Sequence, residues 1–315
     1  MIMHVMVTAI IPNYNHARFL QRRLESVYGQ TYPHVRVILL DDASTDASRT
    51  ILECYRHHPR TQAIVYNETN SGSPFLQWKK GLDLVETNWV WIAESDDWCE
   101  PDFLAGLKPA FGKTDAVLAY AQINWADIKG NIIKKSVEKT SGWYNGPDFV
   151  REHLFERNRL ENSGMLVFRK NAAMEADCRW TTMRQAGDYW LWAEIARQGR
   201  VFGSGQSACY MTKHESSVSA QWLKTPTAWQ EWAETAMRMK SMECISSADI
   251  RHYAQQQLTH LFCVQRAMEP HAFEQEKNRW VHWANLSGEK IHTGYARMEA
   301  LKRKVLHKIQ KLWKA

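Results

Sequence analysis

The chain has 315 residues, 44% hydrophobic and 23% charged, which suits about two folded domains and argues against a disordered or low-complexity protein. Its net charge of +6 resides wholly in residues 296–315, where seven basic residues accompany one acid, Glu299, leaving residues 1–295 neutral; this disfavours a uniformly basic nucleic-acid binder. No run of 18 apolar residues marks a transmembrane helix, and six cysteines without a CxxC pair argue against a zinc site or disulfide framework and for a reducing cytoplasm.

In chain order, Met1 to Pro12 lacks a basic flank and a cleavage site, so it reads as a first strand, Val5–Ile11, rather than a signal peptide. Phe19, Leu20, Leu24, Val27 and Tyr28 share one face of a helix over Arg18–Tyr28. A strand over Val35–Leu40 closes on Asp41-Asp42, and Ser44-Thr45-Asp46 supplies capping chemistry for a helix over Ser48–Tyr55. Strand Ala63–Tyr66, a loop, a helix near Phe75–Val85 and strand Trp89–Ala93 follow, the last ending at Glu94-Ser95-Asp96-Asp97. Pro101 stands where a first helical position would open Asp102–Phe111. This alternation predicts a mostly parallel sheet with helices on both faces. Ligands collect beyond the carboxyl ends of such strands, and here three of those ends are polar and two acidic.

From about 115 the pattern is less regular. Strands are expected at Ala116–Ile123, Gly164–Phe168, Val201-Phe202 and Ala208–Met211, a turn at Gly130-Asn131 and a helix at Asp188–Arg197. Helices over Thr227–Met242, Ala248–Met268 and Ala272–Asn285 precede a tail helix from Tyr295. Trp222–Pro226 is the best candidate boundary, giving domains 1–220 and 221–315.

Three carboxylates within Glu94-Ser95-Asp96-Asp97 repel one another. A hard divalent cation that itself holds phosphates would relieve that repulsion; a solvated turn with Asp97 capping the next helix is the plain alternative. One of Asp41 and Asp42 is suited to a base or ribose, although capping explains Asp46. The first strand is not followed by a glycine-rich loop, which disfavours a dinucleotide-binding dehydrogenase, and no P-loop is present.

The segments Ile10-Ile11-Pro12-Asn13-Tyr14-Asn15, Ser26–Pro33, Leu40–Asp46, Asn70-Ser71-Gly72 and Glu94–Leu104 resemble, in order and spacing, the inverting family 2 glycosyltransferases of GT-A fold. The resemblance covers about residues 5–215. It implies a Rossmann-like, mostly parallel sheet with flanking helices, a nucleotide-sugar half over about 1–110, an acceptor half over about 111–220, and a helical C-terminal extension. It implies that Pro12, Tyr14 and Asp42 hold the nucleobase and ribose of a nucleoside-diphosphate sugar, a UDP-sugar by default. Glu94-Ser95-Asp96 falls in the D-x-D place with Glu at its first position. Asp96 is then the metal ligand for Mn2+ or Mg2+, while Glu94 and Ser95 contact the nucleotide. Asp188, in Gln185–Trp192, matches the general base, although Gly187 stands where the family carries Glu and a helix N-cap is the other explanation of Asp188. Lys213-His214-Glu215-Ser216-Ser217-Val218-Ser219 resembles the closing segment, making His214 the candidate second metal or diphosphate ligand. The implied reaction is inverting transfer to a glycan or lipid-linked acceptor in bacterial surface polysaccharide synthesis; a non-catalytic sugar-nucleotide or glycan-binding scaffold is the rival, motivated by Glu94 and Gly187.

Leu301, Val305, Leu306, Ile309, Leu312 and Trp313 recur at spacings that form one apolar helical stripe flanked by basic residues. Two readings stay open for 296–315: an anionic surface on the inner face of the cytoplasmic membrane, or packing on the chain's own domain or a second subunit.

Overall fold

The computed structural model describes residues 5–136, 140–156, 158–214, 226–265, 268–286, 288 and 293–312. It divides into two compact units, Met1–Trp232 and Ala233–Ala315.

The first unit is built on β1 (Val7–Asn13), α1 (Ala17–Tyr28), β2 (Val35–Asp41), α2 (Ser48–Glu53), β3 (Thr61–Tyr66), α3 (Pro74–Leu84), β4 (Trp89–Ile92), β5 (Trp98–Cys99), α4 (Phe103–Phe111) and β6 (Ala116–Ala126). There follow β7 (Ile132–Lys134), β8 (Gly142–Asn145), α5 (Gly146–Phe149) running into a π-helical turn, β9 (Leu166–Arg169), α6 (Lys170–Met174), α7 (Gly187–Ala196) and β10 (Arg200–Thr212). One sheet takes the order β3-β2-β1-β4-β9-β6-β10-β5, with β7 beside β6 and β8 beside β10. The pairs β1–β2, β2–β3 and β1–β4 are parallel, as the strand–helix alternation predicts. Strand β9 then runs antiparallel to both β4 and β6, so the sheet is mixed from β4 onward.

Strand β1 is buried at all seven positions, as befits a run covered on both faces. Helix α1 buries Phe19, Leu20, Leu24 and Val27 as its spacing predicts, and also Arg23. Trp89, Trp91, Trp192, Phe103 and Phe168 are among the largest fully buried side chains, each worth about 1.5–3 kcal/mol of transfer free energy.

Several elements depart from the sequence pattern. Pro101 is not a first helical residue: α4 starts at Phe103, and the Pro101 carbonyl accepts from the Thr31 amide at 2.8 Å. Gly164 lies in a 3-10 turn over Ser163–Met165, ahead of β9. The two closing strands are one, β10, irregular between Gly203 and Ala208.

The second unit is helical: the end of α8 (Pro226–Ser241), α9 (Ser247–Val264), α10 (Pro270–Leu286) and α11 (Thr293–Leu312). Ser246 and Asp249 form a capping box at α9. Tyr253 meets Trp280 and Trp283 at ring distances of 5.9 and 5.7 Å. Ala296 and Ala300 are buried and α11 packs on α9, so the first turns of the tail helix serve this unit's own core. The boundary segment 221–225 and the tail side chains from 303 onward lie outside the described residues.

Candidate active site

The carboxyl ends of β1, β2 and β4 bring the predicted residues to one edge of the sheet. Pro12 is buried in β1, whereas Tyr14, just beyond it, is 45% exposed and available to a ligand. Asn15 adopts φ 56° and Ala43 φ 61°, left-handed conformations that cost a residue with a Cβ roughly 1 kcal/mol or more. Bonds between the two loops hold them: the Asn15 amide donates to Ser44 Oγ at 3.0 Å, and the Thr45 amide to Asn15 Oδ1 at 2.8 Å. Asp46 accepts from the Ala17 and Ser48 amides, both at 2.9 Å, and so serves the starts of α1 and α2 together.

Asp41 and Asp42 divide their work. Asp41 is fully buried and ion-paired with Arg49 at 2.9 Å. Asp42 is the hub of the 67–73 loop. It accepts from Asn67 Nδ2 at 2.6 Å, Asn70 Nδ2 at 3.1 Å, the Ser71 amide at 2.9 Å and hydroxyl at 2.7 Å, and Gln77 Nε2 at 2.8 Å. Its carboxylate is thus engaged in holding this loop against the end of β2.

The acidic segment after β4 is not a solvated turn, and Asp97 does not cap α4. Asp97 is buried and accepts from the Thr212 amide at 2.8 Å and Asn162 Nδ2 at 2.7 Å. Burial and Asp96 push its carboxyl up to about 7, against Arg23. Glu94 accepts from Trp78 Nε1 at 2.8 Å and from the Ser163 hydroxyl at 3.2 Å. Burial first, then Asp96 and Asp97, raise it to about 8, so it stands protonated near neutrality. Asp96 points elsewhere, with Oδ2 3.0 Å from His214 Nε2. Burial opposes its ionisation, but the His214 hydrogen bond and the charges of His16 and His214 hold its carboxyl below the usual range. Ser95 is buried with its Oγ 2.8 Å from His16 Nδ1. Burial pushes the His16 imidazole down, against the pull of Asp96, with His214 and Arg18 acting alongside burial.

A divalent ion fits part of this arrangement. Asp96, 19% exposed, and His214 offer one carboxylate oxygen and one imidazole nitrogen at a shared point, the donors that Mn2+ accepts. Among the described residues no group of three or more His, Cys, Asp or Glu side chains could hold an ion by itself. Such an ion would therefore draw its remaining ligands from phosphate and water, as Mg2+ commonly does. Glu215–Ser219, the rest of the closing motif, lies outside the described residues.

Helix α3 connects the acidic segment to α7, the helix that carries Asp188. Trp78 of α3 donates to Glu94 on one side and stacks on Trp192 of α7 on the other, 5.8 Å between rings. A Cβ at Gly187 would meet the Trp180 carbonyl oxygen at 2.5 Å and the Phe75 ring at 2.7 Å, so position 187 admits no side chain. Asp188 is the second residue of α7 and Ala186 is the N-cap, which corrects the capping alternative. Its Oδ1 accepts from the Tyr189 amide at 2.7 Å. Burial raises its carboxyl to about 6 despite that bond, with Glu231 adding to the rise; burial outweighs the helix terminus here.

Sequence reasoning missed four contributors: Arg23, Asn162, Trp78 and Glu231. Fully buried Arg23 donates Nε to the Glu94 carbonyl at 2.7 Å behind the acids. A buried arginine on an otherwise apolar helical face looks like a surface residue until its partner, 71 positions away, is known. The tryptophans flanking the site divide likewise. Trp190 and Trp192 are buried, whereas Trp98 is partly exposed, stacked on Tyr210 at 4.9 Å and under the Arg22 guanidinium at 3.6 Å. Lys79 pairs with Asp83, and Lys80 donates to Asn67.

Residues 8–177 match the family described as Glycosyl transferase family 2, and the chain belongs to that family. TuaG of Bacillus subtilis (strain 168), named as a teichuronic acid biosynthesis glycosyltransferase, is 34% identical over 234 residues, 73% of this chain and 88% of that protein. Chondroitin synthase of Escherichia coli is 33% identical over 152 residues, which is 47% of this chain but 21% of that protein. Among solved structures, S. aureus TarS 1–349 in complex with UDP-GlcNAc aligns with a TM-score of 0.63 at 17% identity, over 95% of this chain and 89% of that one. The mannosyltransferase PcManGT from Pyrobaculum calidifontis, in complex with GDP-Man and Mn2+, aligns with a TM-score of 0.51 at 16% identity, over 94% and 73%. The chain is a glycosyltransferase of GT-A fold.

Proposed function

We propose that the protein is an inverting, metal-dependent glycosyltransferase that moves a sugar from a UDP-sugar to a hydroxyl of a glycan or lipid-linked acceptor in bacterial surface polysaccharide synthesis. The observation that carries this reading is the Asp96–His214 pair at the end of β4, together with half-buried Asp188 at the start of α7, a helix linked to Glu94 through the Trp192–Trp78 stack. UDP-GlcNAc in the TarS complex and the naming of TuaG support the donor and pathway class.

In this reading Pro12, Tyr14 and the loop anchored on Asp42 cradle the nucleoside, with Ser95 and Glu94 at its ribose side. Asp96 and His214 hold the cation, Mn2+ or Mg2+, which would supply charge neutralisation to the departing diphosphate. Asp188, ionised above about pH 6, takes the proton of the acceptor hydroxyl as that oxygen attacks the anomeric carbon. Attack opposite the leaving group inverts the configuration. The protein works at the inner face of the cytoplasmic membrane, where basic residues of 296–315 meet anionic lipid.

The test is nucleotide release from UDP-glucose, UDP-galactose, UDP-N-acetylglucosamine, UDP-glucuronic acid and GDP-mannose, each with Mn2+, Mg2+ or chelator. One UDP-sugar should release UDP only with metal, and Asp96→Ala should abolish that release. Turnover of GDP-mannose alone would refute the UDP assignment, and chelator-insensitive release would refute the metal. Proton NMR of the product's anomeric signal reads the stereochemistry.

A further inference from the structure

The turn that delivers Asp188 is held by a carboxylate from a distant part of the chain. Glu231, on α8 and within the first unit, is 5% exposed. Its Oε1 accepts from the Arg184 amide at 2.7 Å, and its Oε2 accepts from the Gln185 and Ala186 amides at 2.8 and 2.9 Å. Three successive amides pointing at one carboxylate define the backbone direction of the turn, because charge-assisted bonds of this kind are short and directional. Ala186 is the N-cap of α7, so fixing its amide fixes where the helix begins and where Asp188, two residues on, projects.

The opposite side of the turn is equally constrained. Gly187 lies against the Trp180 carbonyl and the Phe75 ring with no space for a Cβ. Arg184 Nη1 approaches the Gly72 carbonyl at 3.4 Å, which ties the turn to the loop anchored by Asp42. Glu231 is therefore the polar support on one side of a turn whose other side is closed by packing.

We propose that Glu231 is a positioning residue for glycosyl transfer: its carboxylate sets the 184–186 turn and thereby aims Asp188 at the acceptor hydroxyl. This rests on the reading of Asp188 as the base. The negative charge of Glu231 also helps keep the proton affinity of Asp188 high, in the direction a base requires.

The experiment compares full-length wild-type protein with Asp188→Asn, Glu231→Gln and Glu231→Asp. UDP release with Mn2+ is followed from whichever of UDP-glucose, UDP-galactose, UDP-N-acetylglucosamine and UDP-glucuronic acid is hydrolysed fastest, water taking the acceptor's place and giving its proton to Asp188 as it attacks the anomeric carbon. Rates are expressed per UDP-binding site counted by calorimetry, so that misfolded molecules do not contribute. Glutamine keeps the shape but replaces one of the two accepting oxygens by an NH2 group, which cannot accept from the amide it faces. Glu231→Gln should lower kcat per site about 10- to 100-fold, the scale of a small misplacement of a catalytic group. Donor KM should stay within about twofold, because the 67–73 loop is held by Asp42 and meets the turn through the Arg184 side chain, not through its amides. Glu231→Asp, which keeps the charge on a shorter stem, should recover part of the loss. Amide hydrogen exchange at 184–186 should quicken in the Gln variant while that of 67–73 is unchanged. Wild-type kcat per site in Glu231→Gln with Asp188→Asn inactive overturns the positioning role and leaves the base standing. Undiminished release by Asp188→Asn overturns the base, and the positioning role with it. Unaltered exchange at 184–186 also overturns the proposal. Should the Gln variant bind no UDP, Glu231→Asp decides: wild-type kcat and exchange overturn the role, and a loss of kcat at constant KM supports it.

Discussion

Asp188 carries two opposite pH dependences, and their separation makes it testable. As the proposed base it works only ionised, so with its carboxyl raised to about 6 kcat should fall on acidification, by about tenfold per pH unit well below that value. For stability the sign reverses. The folded-state pKa lies above the unfolded value of about 3.9, so the native state binds the extra proton between the two. The resulting stabilisation is present below the unfolded pKa and is lost as pH rises through about 6. Asp188→Asn should therefore abolish the acid limb of kcat, lower transfer about 10²–10⁴-fold, and flatten the dependence of the melting temperature on pH across that window. Calorimetric melting beside a kcat profile measures both. A variant that keeps the acid limb assigns it to another group. Glu94, raised in the same direction to about 8, contributes to stability with the same sign but at higher pH, and its slope should survive in Asp188→Asn.

At the scale of elements, the start of α7 depends on how closely three segments approach one another. Gly187→Ala places a methyl group against backbone oxygen of Trp180 and the edge of Phe75, and neither yields as a flexible side-chain tip would. The variant should lose about 1–3 kcal/mol of stability, the usual cost of overpacking, and should lower kcat more than donor KM because the helix carrying Asp188 is displaced. Urea unfolding with parallel kinetics checks this; an unchanged midpoint would mean the turn is looser than its geometry. The same elements show what the sequence could reveal. Strands β1, β2 and β4 were legible because buried apolar runs end abruptly at Pro12-Asn13, Asp41-Asp42 and Glu94, and those ends carry the residues proposed to face the nucleotide. β5 was not legible, since Trp98 and Cys99 are a strand only through pairing with β10. The antiparallel entry of β9 between β4 and β6 likewise leaves no local periodicity. Arg23, Trp78 and Asn162 act across 71, 16 and 65 positions, and Glu231 across 45 to 47. A helical wheel reports which face is apolar, but not which buried polar group answers which carboxylate.

At the scale of the whole molecule, the uneven charge acquires a narrower meaning. Residues 1–295 balance their charges, and the acidic segment has a counter-charge of its own in Arg23, which opposes the rise of Asp97. The surplus in 296–315 is therefore not needed to neutralise the catalytic edge. Nor is the whole tail helix free to lie on a surface, because Ala296 and Ala300 are buried in the second unit's core, whereas Met298 and Leu301 are 48% and 63% exposed. A chain cut at Gly294 would remove that packing along with the charge, and would confound folding with binding. Substituting Arg303, Lys304, Lys308 and Lys311 by Gln in the full chain isolates the electrostatic contribution. Each basic residue near an anionic surface is worth about 1 kcal/mol, so losing four should weaken partition onto phosphatidylglycerol vesicles by roughly 10³-fold. Binding of the unaltered chain should fall with salt, as screening shortens to about 10 Å at 0.1 M, and should be weak on phosphatidylcholine. Co-sedimentation reads the partition, and UDP release from a soluble donor checks that the site is intact. If the four-fold variant binds anionic vesicles as the unaltered chain does, the tail is not the membrane address. If it instead loses a dimer seen by sedimentation velocity, its charges serve a subunit contact.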